Sequence, residues 1–91
     1  MASQHVKKKM QIIWGGTLEE DGKRHGEYQA TRRGVSIEQI QQTIQTPDEI
    51  VRQSVDCVRY FKYLEGRTLA VVAVQKSHTV FEVITCWWED L

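Results

Sequence analysis

A chain of 91 residues, 41% apolar and 26% charged, has room for one domain with one modest core. Twelve Lys and Arg balance twelve Asp and Glu, so no net charge draws the chain strongly to nucleic acid. No apolar run approaches the roughly 20 residues of a membrane span, and no signal-peptide pattern appears, so a soluble, cytoplasmic protein is expected.

Residues 1–9, with Lys7, Lys8 and Lys9, read as a flexible basic tail; residues 10–91 read as a single α+β domain. Gln11-Ile12-Ile13-Trp14, stopped by Gly15-Gly16, is a candidate first strand. The acids Glu19, Glu20 and Asp21 either cap the following helix at its positive end or belong to a loop broken at Gly22. A first helix is expected over Lys23 to Arg33. Gly26 weakens it by about 1 kcal/mol relative to alanine, and Gly34 suits the left-handed position just past its end. Ser36-Ile37-Glu38-Gln39 matches a capping box, with Ser36 as N-cap. Ile37, Ile40 and Ile44 form an apolar stripe on a second helix that ends at Thr46-Pro47.

From Asp48 onward the pattern is β. Glu49 to Gln53 is a short candidate strand. Cys57 to Leu64 is rich in β-formers, with Val58, Tyr60, Lys62 and Leu64 opposing Cys57, Arg59, Phe61 and Tyr63. Glu65-Gly66 is a hairpin signal. Leu69 to Val74 is apolar on both faces and reads as a central strand. After the turn Lys76-Ser77-His78 comes a last strand, Thr79 to Trp88, on which strict alternation sets Phe81, Val83, Thr85 and Trp87 against Val80, Glu82, Ile84, Cys86 and Trp88. Short turns make these neighbours antiparallel. The expectation is therefore an α+β fold: a short N-terminal strand, then two helices packed on one face of an antiparallel sheet of about four strands.

Cys57 and Cys86 have no metal-type spacing and read as reduced thiols. No His, Cys, Asp and Glu cluster has ligand spacing and no glycine-rich loop matches a nucleotide fingerprint, so neither metal nor cofactor is expected. Residues 1–33 carry seven basic and four acidic side chains, a weakly basic pole suited to a polyanion or an acidic partner chain. His25, Tyr28 or Gln29, Arg32 and Arg33 share a helix face with few apolar residues. Trp87 and Trp88, adjacent on the last strand, face opposite sides of the sheet. One belongs to the core; the other is free to stack on a base or, more in keeping with zero net charge, to anchor a partner or a second copy.

His25 followed by Arg33-Gly34-Val35-Ser36, the Ile-periodic helix, Thr46-Pro47-Asp48-Glu49-Ile50, Arg59-Tyr60-Phe61-Lys62, Gly66, Leu69 to Val74 and Val83-Ile84-Thr85 together resemble a small bacterial family, domain of unknown function 4258. That family looks related to the BrnT and RelE type toxins, compact ribonucleases with helices on a curved antiparallel sheet. The resemblance spans about His25 to Trp88. It implies His25, Arg33 and Arg59 as catalytic residues, with Arg32, Tyr60 and Lys62 as substrate contacts and a cognate antitoxin as partner. The family pattern often has an arginine four residues after the histidine. Here that position is Gln29, with Arg32 as its substitute.

The implied reaction is metal-independent cleavage of RNA. A base takes the ribose 2′-hydroxyl proton, the oxygen attacks the adjacent phosphate, and an acid protonates the leaving oxygen. Histidine suits either proton transfer because an imidazole titrates near working pH. Arginine suits the phosphate oxygens. Plainer readings stand beside this one. His25 is a structural surface residue, Arg32 and Arg33 complement the helix dipole, and Arg59 pairs with Glu82 or Glu49 across the sheet. His78 sits in a turn and carries little weight. The Gln29 departure and the neutral charge favour the alternative function, a non-catalytic module of the same fold that binds protein or RNA. A homodimer through the last strand and its tryptophans, with Trp88 as the partner contact, is a third reading.

Overall fold

In a computed structural model the described residues are 10–89. The expected basic tail at 1–9 lies outside them. Strand β1 is Gln11–Trp14, helix α1 His25–Arg33, helix α2 Ile37–Gln45, and strands β2 to β5 are Glu49–Arg52, Cys57–Leu64, Arg67–Gln75 and Val80–Glu89.

Local chemistry sets the helix ends. Gly34 takes the left-handed conformation at φ 68°, and Val35 N–H reaches back to the Ala30 carbonyl at 2.8 Å, which closes α1 with the six-residue bond typical of a glycine stop. The first turn starts two residues later than the sequence pattern suggests. Leu18 and Arg24 form an antiparallel bridge that takes Lys23 and Arg24 into a loop turning at Gly22. Helix α2 opens on a complete capping box. Ser36 Oγ accepts from Gln39 N–H at 3.1 Å, and Gln39 Oε1 accepts from Ser36 N–H at 2.9 Å.

The sheet order is β1-β5-β4-β3-β2. The expected sheet of about four antiparallel strands is therefore a mixed sheet of five. Strands β2 to β5 do form the antiparallel meander, but β1 joins the outer edge of β5 in parallel, with Gln11 opposite Val80 and Trp14 opposite Val83. Two helices separate β1 from the meander, so no short turn fixes its direction.

Both helices lie on the same face of the sheet. Helix α1 packs on β5 and β1, helix α2 on β3 and β4. Ala30, Val35, Ile40 and Ile44 meet Tyr60, Leu69, Val71, Ala73, Phe81, Val83 and Cys86 in one core, with Tyr60 and Phe81 edge to face at 6.5 Å. Strict alternation along β5 cannot produce this set. Val72 pairs with Thr85 but Ala73 pairs with Val83, so Ile84 is an extra residue in a β-bulge. The bulge flips the alternation. Phe81 and Val83 face the helices before it, Cys86 and Trp88 after it, and Trp87 is turned to the other side.

Both cysteines are free. Cys86 is fully buried, and burial pushes its thiol from 9.0 up to about 11, opposed in part by the charge of Arg33. Between those two values the folded chain keeps a proton that the unfolded chain has lost. The contribution is thus intact below pH 9.0 and disappears as pH rises through about 11. Tyr60, also raised by burial, acts in the same direction. We expect alkaline conditions to cost about 3 kcal/mol through Cys86. Thermal unfolding followed from neutral pH upward measures this, and Cys86→Ala should flatten the alkaline limb.

Candidate functional site

The loop between β1 and α1 positions His25. Gly15 N–H donates to the Val83 carbonyl at 2.8 Å, His25 N–H to Thr17 at 2.8 Å and Gly26 N–H to Gly15 at 3.0 Å, so the start of α1 is locked against the β1–β5 edge. The ring Nδ1 of His25 lies 2.7 Å from Glu19 Oε2, with both side chains about one-third exposed. This contact closes the loop onto the helix. Arg32 and Arg33 are exposed in the last turn of α1. His25 and Arg33 are the two ends of α1, eight helical steps and about 12 Å apart along the axis.

Arg59 occupies the other side of the sheet. It pairs with Val72 in the register, and its guanidinium lies 6.0 Å from the Phe61 ring and 5.6 Å from the Trp87 ring. The structure therefore does not bring His25, Arg33 and Arg59 together. Lys62, on the helix side, donates from Nζ to the Thr46 carbonyl at 2.8 Å and ties β3 to the end of α2. Trp88 packs against the core. Its indole N–H donates to the Arg33 carbonyl at 2.9 Å, and the Arg67 guanidinium lies 4.0 Å above its ring. Gln29 is buried at the core side of α1, and its Oε1 has no hydrogen-bond partner among the described residues.

The remaining sequence candidate, Tyr60, opens onto a different place. Neither helix packs on β2, whose four residues are all exposed. Beyond the helix cover, β2 and β3 meet the β4–β5 turn around an open cleft of about 460 Å³. Its polar lining includes Arg52, Asp56, Tyr60, Lys76 and His78, and its apolar wall includes Ile50 and Val55. Arg52 is held by a 3.3 Å bond from Nη1 to the Val55 carbonyl. Lys76 Nζ sits 3.5 Å from Glu82 Oε1. Burial raises the pKa of the Tyr60 phenol, partly offset by the Arg52 charge, so the phenol stays a hydrogen-bond donor through neutral pH. Chemically the cleft offers an imidazole, a phenol, a guanidinium and an ammonium around one hollow, with the Asp56 carboxylate among them.

Of this set only Tyr60 was prominent in the sequence. The missed signal is topological. In a meander, alternate turns lie at the same end of the sheet. The residues flanking Gln53–Asp56 and those in Lys76-Ser77-His78 were therefore bound to be neighbours. Among the described residues no three His, Cys, Asp or Glu side chains gather as metal ligands. No helix among them is long and apolar enough to cross a membrane.

Neither a curated protein nor a solved structure matches this chain. A family model does, over residues 23–88, which takes in both helices and all of the meander but Glu89. The chain thus belongs to the family described as domain of unknown function (DUF4258).

Proposed function

We propose that the domain is a metal-independent ribonuclease of toxin type, related to BrnT and RelE, and that its reaction runs in the cleft between β2, β3 and the β4–β5 turn. The observation that carries this reading is the gathering of His78, Tyr60, Arg52 and Lys76 around one open hollow. His78 takes the proton of a ribose 2′-hydroxyl. The freed oxygen attacks the neighbouring phosphorus and the bond to the 5′-oxygen breaks. The Tyr60 phenol gives its proton to that leaving oxygen, and Arg52 and Lys76 hold the non-bridging oxygens as charge builds on them. The products are a 2′,3′-cyclic phosphate and a 5′-hydroxyl end. The setting is the cytoplasm, and an antitoxin chain laid over the cleft silences it.

The second reading, a module that binds RNA or protein without cleaving it, is favoured by one specific observation. His25 is engaged with Glu19 on the helix side while Arg59 lies on the other face, so the constellation implied by the family resemblance is not assembled.

The test is cleavage of single-stranded RNA by the full chain in a chelator, read as cyclic-phosphate ends. Cleavage is expected, falling about a hundredfold or more in His78→Ala, and much less in His25→Ala. Circular dichroism checks that both variants fold. Loss in His25→Ala with activity kept in His78→Ala returns the chemistry to the start of α1 and overturns the cleft assignment. RNA retained without cleavage establishes the binding module instead.

A further inference from the structure

The face of the sheet opposite the helices has the residues of a covered surface. A sheet with one wet side alternates apolar and polar residues. Central strand β4 does not. Its outward positions include Ala70, Val72 and Val74, and Ala70 and Val72 are 0% and 6% exposed although no helix lies over them. Side chains from the flanking strands shield them. The register sets Phe61, Ala70 and Trp87 in one row across three strands, and Arg59, Val72 and Thr85 in the next. Arg59 folds over this floor between the two aromatic rings.

The charges on this face are arranged as a centre and a rim. Arg59 pairs with no carboxylate among the described residues, and its Nε is shut off from solvent without an acceptor. Glu49, opposite Phe61, and Glu89, opposite Thr68 and accepting from the Trp87 indole N–H at 3.2 Å, are exposed at the margins of the same face, while Glu82, opposite Val74, is already paired with Lys76. A polyanion would meet that acidic rim and be repelled. A second copy of this chain would not when the two-fold axis runs between Arg59 and Glu49 rather than through Arg59, because each arginine then lies over the other copy's carboxylate.

We infer that the helix-free face, centred on Arg59, Phe61 and Trp87, is a homodimer interface in which two sheets stack face to face and each Arg59 meets Glu49 or Glu89 of the second copy. Stacked sheets sit about 10 Å apart, which suits a layer built from one arginine and two aromatic rings per chain. The pairing is independent of the cleft, which opens on the helix side and stays accessible in the dimer.

Sedimentation velocity of the full chain across the micromolar range tests this. The wild-type chain is expected to be a dimer. Arg59→Glu alone, and Glu49→Lys with Glu89→Lys, should each run as monomers, and an equimolar mixture of the two should recover the dimer. That recovery also shows that both variants are folded. A wild-type chain that stays monomeric throughout, or a dimer untouched by Arg59→Glu, overturns the inference. So does single-stranded RNA bound to a wild-type monomer and lost in Trp87→Ala, which would give the face to RNA.

Discussion

Replacing Gly26 with alanine is expected to destabilise the fold by about 3 kcal/mol or more, or to prevent folding altogether. Helix propensity taken alone predicts the reverse, since alanine inside a helix is favoured over glycine by about 1 kcal/mol. Packing decides the sign. A Cβ at Gly26 would overlap the Val83 carbonyl oxygen and sit 3.3 Å from the Gly15 carbonyl. Both are backbone groups and cannot rotate away as a side-chain end would. The Val83 carbonyl also accepts from Gly15 N–H, and the Gly15 carbonyl from Gly26 N–H, so lifting α1 to make room breaks the junction between β1, β5 and the helix. Urea denaturation of the wild-type chain and Gly26→Ala measures the difference. A variant as stable as the wild type would mean that the helix is not seated this closely on the strand.

That glycine shows what a single sequence can and cannot disclose. Gly34 is legible because its role is local, one left-handed residue where a helix stops. Ser36 and Gln39 are legible for the same reason, and the capping box forms as their spacing indicates. Gly26 has no local explanation. Its reason is a strand 57 residues further along, and nothing within its own helix points there. The pairing of β1 with β5 is hidden in the same way, because a parallel partner beyond two helices leaves no turn signal. The bulge at Ile84 is a subtler case. Period-two reading of β5 is sound on either side of it, yet one extra residue exchanges the roles of Trp87 and Trp88. The site suffers most from this. Alternation within β3 already separates Arg59 from Tyr60, and once the helices are known to cover the Tyr60 face, Arg59 must leave the company of His25. His78 and Arg52 carry no motif, and only the shared end of two turns brings them to Tyr60.

The apolar stripe of α2 supplies the second large effect and the sharpest contrast between pattern and packing. By spacing, Ile37, Ile40 and Ile44 are equivalent anchors. In the fold they are 46%, 0% and 6% exposed. Ile40→Ala removes a side chain enclosed in the core formed with the sheet, and α2, capped at one end and tied to β3 through Lys62 at the other, has little freedom to close the gap. The expected cost is about 3–4 kcal/mol, lost burial plus the cavity left behind. Ile37→Ala, in the first turn, forfeits only partial burial and gains helix propensity, so its cost should stay below about 1 kcal/mol. Parallel urea titrations of the two variants give both numbers with the same denaturant slope. Equal losses would mean that the first turn of α2 is buried as deeply as its middle. A large gap would show that the helix is held by its centre and last turn, which leaves Ile37 a solvent-facing residue that only resembles a core position.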